Sequence, residues 1–437
     1  MVAATALTLF SGSLAVPMVN TLSTVNDFSD IQINYDKLLN SSAGFEDIVS
    51  TTGVANSPRL KVRLHNNFPT DAPIFVYIQG LVSNTWVFYT KQGNWHQPNP
   101  NGSTKPVRIG ADIAIPLGGK GSVTELTMPS AFASGRVFFS QGEMNILTVL
   151  NPDGTIGITP PSVADLNDPS KDVNWGFVEL THNEDDTIYS NLSYVDFVGL
   201  IASMSVSFAN GKTVEVSGLK FGAVQEVCNK LKQQSQKDGK AWDQLCIYDS
   251  HDNSKLVRVV APIQTMDMDK KKDLFKDYFS KYIDQVWEKF RHESLTVDGQ
   301  NQFNTGKVTC KVNGDVLNCD GETFTKPSAK DIFGCSSGTF YNGGSDKRKA
   351  LTNRLCAAFH RGTYLLANGN NQPQVDPALY YTTDPSNHYS RIVHELEAGG
   401  HGYAFAYDDV NPTGHADASG TIAGANPTVM DLWVGGK

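Results

Sequence analysis

Two short runs constrain this chain more than anything else in it: Trp175-Gly176-Phe177-Val178-Glu179-Leu180-Thr181-His182-Asn183 and Asn191-Leu192-Ser193-Tyr194-Val195-Asp196-Phe197-Val198. Both are rich in aromatic and β-branched residues, and each reads as a half-buried strand. Each also encloses one carboxylate: Glu179 stands between Val178 and Leu180, Asp196 between Val195 and Phe197. An acid in such a run is costly to bury unless it has a partner or a task. Alternation puts Trp175, Phe177, Glu179, Thr181 and Asn183 on one face and turns Val178 and Leu180 toward a core. An acid, a hydroxyl and an amide flanked by aromatics suit a sugar, although a hairpin with its polar side to water has the same pattern. Ser193 and Asp196 fall on opposite faces of a regular strand, so a site containing both requires a bulge. Two acids on neighbouring strands would supply a general acid and a general base, the chemistry of glycoside cleavage.

The chain has 437 residues, 40% hydrophobic and 19% charged, a globular balance that excludes wholesale disorder and allows two domains or one with insertions. Net charge is −9 with no basic run, so nucleic acid and anionic membrane are poor partners, whereas a neutral polymer meets no electrostatic objection. No run reaches the roughly 18 apolar residues of a membrane span. The six cysteines begin at Cys228, and proximity suggests Cys228 with Cys246, Cys310 with Cys319 and Cys335 with Cys356. An even count in one region suits a secreted protein; zinc is the rival, but no C-x-x-C occurs. Sequons at Asn40, Asn101 and Asn191 are compatible with secretion. Met1 to Val16 resembles the apolar region of a signal peptide, without its basic flank.

Between Leu60 and Val216 short strands alternate with turns: Leu60–Leu64, Ile74–Ile78, Trp86–Tyr89, Ile113–Ile115, Arg136–Ser140, Met144–Leu150, the two acid-bearing runs and Met204–Phe208. This spacing indicates a sandwich or barrel. Helices are expected at Ala223–Gln234, Asp269–Phe290, Arg348–Phe359 and Tyr389–Leu396. The stripe Phe275, Phe279, Tyr282, Val286 and Phe290 reads as core, and Lys270, Lys271, Lys272 and Lys276 as its solvated face. After Gly402 strands return at Tyr403–Tyr407 and Val429–Val434. The organisation is therefore a leader and N-terminal segment (1–58), a β domain (59–217), a mixed α/β region holding all the cysteines (218–401) and a return to the β domain (402–437). Clefts commonly form between two such parts.

His394-Glu395-Leu396-Glu397-Ala398-Gly399-Gly400-His401 suggests a metalloprotease at first sight. Its histidines are seven apart rather than four, and the glycines would end a helix before the second. No metal or other cofactor is expected. Tyr407-Asp408-Asp409 leads into a turn whose chemistry explains its acids. Serine-hydrolase, P-loop and dinucleotide-binding signatures are missing.

Asn174 to Thr181 with Ser193 to Val198 resembles the core of glycoside hydrolase family 64, β-1,3-glucanases related to thaumatin-like proteins. Tyr403-Ala404-Phe405-Ala406-Tyr407-Asp408-Asp409-Val410 is similar to the family's C-terminal Tyr-Ala-Tyr-Asp-Asp segment, and Asn387 to Glu395 to the helix before it. The resemblance runs from about Leu60 to Val434. It implies a mainly β chain: a thaumatin-like β-sandwich or barrel domain and a mixed α/β domain flanking a wide cleft for β-1,3-glucan. It implies endo-cleavage with inversion and release of short oligosaccharides, characteristically the pentamer. Glu179 would be the general acid and Asp196 the general base, with Thr181, Asn183 and Ser193 at sugar-contacting positions. Glu184 to Asn191 lacks the tryptophan that lines the groove in the family, and Tyr189 stands as its substitute. Asp408 joins the expected substrate-binding set.

A general acid needs a raised pKa, which burial of Glu179 against Trp175 or Phe177 would supply, while Asp196 should stay ionised. Inversion further asks for carboxyls about 6.5–9.5 Å apart. The resulting expectation is a secreted, monomeric endo-β-1,3-glucanase acting on laminarin-type polysaccharide. The alternative is a non-catalytic thaumatin-like protein that binds glucan in defence.

Overall fold

The computed structural model describes residues 57–437, apart from 269, 342, 416 and 417. The signal-like N-terminus, the sequon at Asn40 and the first residue of the expected Asp269 helix lie outside the described residues. The fold is mainly β. Five strands form one sheet in the order Thr213–Val216, Ala202–Phe208, Pro427–Val434, Lys61–Asn66, Val123–Thr127. Its centre joins the two ends of the described chain, because Pro427–Val434 runs parallel to Lys61–Asn66. An eight-stranded sheet orders Ile422–Ala425, Thr187–Leu192, Trp175–His182, Phe132–Gln141, Ile74–Val82, Thr85–Tyr89 and Trp95–His96, with Ile115–Pro116 also on Ile74–Val82.

Period-2 patterning explains how the two sheets meet. Val178, Leu180, Ile188 and Leu192 alternate with polar neighbours, and all join one buried cluster with Val62, Leu64, Met204, Val206, Met430 and Leu432. Ser190 on the same inner face brings its Oγ to 3.3 Å from Met204 Sδ. The opposite face of Trp175–His182 thereby carries Trp175, Phe177, Glu179 and Thr181, as alternation requires.

Between the first sheet and the final strand, the described residues form six α-helices, the main ones Ala223–Asp238, Ser280–His292, Asp346–Arg361 and His388–Leu396, with a second five-stranded sheet. That sheet (Glu322–Thr325, Val316–Cys319, Lys307–Asn313, Leu295–Asp298, Asn371–Gln372) was not anticipated. The disulfides are Cys228–Cys246, Cys310–Cys319 and Cys335–Cys356, the pairing that proximity suggested. The third is buried and joins the C-terminal end of the helix Ala329–Gly334 to the helix Asp346–Arg361. The aromatic stripe from Phe275 to Phe290 is core, as expected.

Two elements differ from expectation. The helix expected from Asp269 begins at Ser280, and the preceding residues form successive turns such as Leu274 N–H to Lys271 O. Tertiary packing overrides helical periodicity there. Phe275 and Tyr278 are drawn onto Trp242, with ring centroids 4.8 and 5.2 Å away. Lys270, Lys272 and Lys276 are exposed as expected, while Lys271 is half-buried and donates to Gln244 O at 2.7 Å. Tyr403–Tyr407 is a single bridge followed by turns, because Asp408 Oδ2 accepts from the Ala404 and Phe405 amides and curls the backbone around itself.

One close backbone approach fixes the start of the Glu179 strand. A Cβ on Gly176 would meet the Leu200 carbonyl oxygen at 2.0 Å, so only glycine fits. Gly176→Ala should lower stability by about 1–3 kcal/mol, read as a fall in the urea midpoint at constant m-value. An unchanged midpoint would mean that the Leu200 turn retreats freely.

Candidate active site

Sheet register gathers the first half of the site. Asn191, Glu179, Arg136 and Gln79 stand in one row across four adjacent strands. Directly opposed residues share a face, so their side chains meet. Arg136 Nη2 donates to Glu179 Oε1 at 3.3 Å, and Asn191 Nδ2 donates to Oε2 at 3.2 Å. The Arg136 guanidinium also lies over the Phe177 ring, 4.8 Å from its centroid. Glu179 is therefore oriented from both sides, with its side chain 20% exposed.

Asp196 arrives differently. The strand from Thr187 ends at Leu192, and Asp196 lies in a bend before the two-residue strand Phe197–Val198. It is thus not on a neighbouring strand of the same hairpin, which corrects the expected pairing. That short strand joins Leu256–Val260 rather than the Glu179 sheet. The Ala261 amide donates to Asp196 O at 2.8 Å, and Gln264 Nε2 donates to Asp196 Oδ1 at 2.7 Å. Burial pushes the Asp196 pKa up, to about 6; Arg136 holds it down, the Glu179 charge pushes it up, and the Gln264 hydrogen bond holds it down. The two acids thus share one electrostatic environment, with Arg136 as its positive charge. The sequence leads one to expect the raised carboxyl at Glu179 and an ionised one at Asp196. In the structure Asp196 is the carboxyl that burial pushes up, while the neighbours that bond Glu179 are Arg136 and Asn191.

The remaining expected residues divide. Thr181 and Tyr189 face one another across the Glu179 hairpin, both half-buried. Thr181 Oγ1 accepts from the Ser134 amide at 3.2 Å, and Asn183 Nδ2 donates to Thr187 Oγ1 at 2.9 Å, closing the hairpin turn. Ser193 sits half-buried in the bridge to Tyr403, beside the bend that carries Asp196. Asp408 is not with them. It is 1% exposed. His394 Nε2 lies 3.1 Å from its Oδ2, and Arg361 Nη2 lies 3.5 Å from its Oδ1. Its place in the substrate-binding set is therefore withdrawn: its carboxylate is spent on the interior.

His394 is doubly held, with Nδ1 at 2.8 Å from Glu397 Oε2. Burial works against its charge, but Asp408 and Glu397 outweigh burial and raise its pKa to about 10. A ring held as a cation between two carboxylates has no lone pair for a metal. The grouping that most resembles a metal cluster among the described residues is Cys335, Cys356 and His360, whose sulfurs are bonded to each other.

Sequence reasoning missed three contacts. Arg136 gave a signal, since Gly135-Arg136-Val137-Phe138-Phe139 encloses a charge in an apolar strand just as the Glu179 run does. Asn191 opens a sequon by pattern, but it is 8% exposed and bonded to Glu179. Gln264 gave none, being 68 residues from Asp196.

The family model described as β-1,3-glucanase matches residues 58–434. The chain belongs to glycoside hydrolase family 64. Among similar proteins, the glucan endo-1,3-β-glucosidase of Cellulosimicrobium cellulans is 27% identical over 345 residues, covering 77% of this chain and 59% of that protein. That of Arthrobacter sp. (strain YCWD3) is 28% identical over the same coverage. The chain thus spans 59% of the length of the curated relatives it matches. A crystal structure of a laminaripentaose-producing β-1,3-glucanase in complex with laminaritetraose has 26% identity and a TM-score of 0.75, covering 86% of this chain and 98% of that one. A family 64 β-1,3-glucanase domain from Clostridium beijerinckii, at 20% identity and a TM-score of 0.65, covers 86% of this chain and 98% of its own and shares the fold.

The His394 clamp makes a stability prediction. A histidine whose folded pKa is about 10, against an ordinary 6.5, contributes stability that is fully present below pH 6.5 and lost as pH rises through about 10. The advantage of the native chain over His394→Gln in urea unfolding should follow that course. An advantage constant from pH 6 to 10 would mean the ring is held neutral.

Proposed function

We propose that this chain is a secreted endo-β-1,3-glucanase that hydrolyses laminarin-type glucan with inversion and releases short oligosaccharides. In this reading the two large sheets form a thaumatin-like domain, residues 218–401 form the mixed α/β domain, and the glucan lies in a wide cleft between them. The three disulfides support export to an oxidising compartment. No helix among the described residues is long and apolar enough to cross a membrane.

The observation that carries the reading is one arginine set against two carboxyls of unlike environment. Arg136 touches Glu179 and also acts on Asp196. Two carboxyls beside one cation give an acid/base pair, and the division of roles between them follows the family motif that Glu179 and Asp196 match. We assign Glu179 as general acid, protonating the glycosidic oxygen. Asp196 is the general base that removes a proton from the attacking water. A base with a pKa near the working pH combines ionisation with proton affinity, which is where such catalysis is most effective. Thr181, Asn183, Tyr189 and Ser193 are the proposed sugar contacts: the first three lie on the Glu179 hairpin, and Ser193 lies beside the bend that carries Asp196.

Glu179→Gln should cut release of reducing ends from laminarin by about 10²–10⁴-fold while the melting curve holds. Turnover at the native rate would remove Glu179 from the mechanism. New reducing ends should appear as α-anomers by proton NMR; β-anomers would mean retention. The pH profile separates the two roles. With Asp196 as base, kcat/KM falls as pH drops through about 6. Loss on raising pH through that value would exchange the assignments.

A further inference from the structure

The segment after Leu256 holds Asp196 at three levels. Phe197 and Val198 pair with Val260 and Val259, so the backbone beside Asp196 is fixed by a ladder. The Ala261 amide bonds the Asp196 carbonyl at 2.8 Å. One helical turn further on, Gln264 reaches the carboxylate itself at 2.7 Å. Gln264 is 8% exposed and lies on the short helix Pro262–Met266. A glutamine tying two parts of a chain together needs only some partner. This one donates to the carboxyl with the assigned chemistry, and to one of its two oxygens.

We propose that Gln264 is a positioning residue for Asp196: its amide fixes one carboxylate oxygen, leaves the other to receive the proton of the attacking water, and favours the ionised form that a base requires. An amide N–H is a donor only, so it bonds a carboxylate better than a protonated acid that has lost that acceptor's charge. The catalytic part of this proposal rests on the glycoside-hydrolase reading above; the contact does not. The charged and titratable groups facing Asp196 are Arg136 from Phe132–Gln141, Glu179 from Trp175–His182 and Tyr389 from His388–Leu396. Arg136 favours ionisation and Glu179 opposes it. Gln264 therefore assists a single cation that is shared with a second carboxyl.

The test uses the full chain with Gln264→Leu and Gln264→Glu. Leucine removes the donor. Glutamate keeps the side-chain length and approximate volume and places a second acid against Asp196, so it reports even where leucine packs poorly. The acidic limb of the kcat/KM profile should move up by about one pH unit in Gln264→Leu and further in Gln264→Glu, with the loss shrinking as pH rises. The same displacement should appear in the carboxyl carbon-13 titration of Asp196 in the resting protein. A limb that stays in place, with activity lost equally at every pH, would assign Gln264 a structural role and overturn the proposal, as would an unmoved carboxyl titration. Failure of the functional reading is distinguishable, because a native chain inert on laminarin leaves the carboxyl titration to decide on Gln264.

Discussion

Tyr194 determines where the second acid goes. Its amide donates to Tyr403 O at 2.7 Å, and Tyr403 N–H returns a bond to Leu192 O at 3.0 Å. Its carbonyl accepts from the Tyr389 hydroxyl at 2.6 Å, and its own hydroxyl accepts from the Leu219 amide at 3.1 Å. Every polar group of this buried residue is thereby engaged by a distant part of the chain, so the backbone no longer needs a neighbouring strand. The chain leaves the sheet at this point, and Asp196, two residues later, meets Leu256–Val260 instead of continuing beside Glu179. A regular strand would have kept Ser193 and Asp196 on opposite faces. Departure from the sheet releases Asp196 from that alternation.

The supports of Tyr194 are themselves held by charge. Tyr403 begins the turn that Asp408 wraps, and Asp408 is neutralised by His394 and Arg361. Tyr389 lies on the helix that carries His394. Burying these groups is costly, and the mutual attraction offsets that cost only while all partners are present. The clamp is therefore a poor source of net stability and a strong source of specificity, since one packing satisfies all of its members. The Asp-Asp turn, attractive as a ligand-binding feature, is the base on which the bend carrying Asp196 rests.

What was legible in the sequence follows from the range of the forces involved. Glu179 and its face depend on period-2 alternation, a local property, and the strand is as expected. The three disulfides close loops of 18, 9 and 21 residues, short enough for proximity to decide. Lys307–Asn313 was also readable, since Val308, Cys310 and Val312 alternate with polar residues, but the helical periodicity around it hid the sheet. The surroundings of Asp196 were not readable, because Arg136, Gln264 and Tyr389 come from three separate elements. Asp408 misled for the same reason: an acid in a turn looks exposed until its buried cations arrive from other helices.

The two acid-bearing segments are held together by two glycine–carbonyl approaches rather than by the acids. Gly176 precedes Glu179 by three residues, and Gly199 follows Asp196 by three. A Cβ on Gly199 would meet the Trp175 carbonyl oxygen at 2.2 Å, and the Leu200 amide donates to that same oxygen at 2.9 Å. Trp175 and Phe197 then stack edge to face, with centroids 4.5 Å apart. The two acid-bearing segments are thus pinned backbone to backbone at one end, with an aromatic wedge between them, and each runs three residues outward to its carboxyl. Close-packed backbones and rings have little freedom to slide. Trp175, Phe177 and Phe197 form one aromatic cluster across the two segments, which explains the aromatic flanks that first marked these runs.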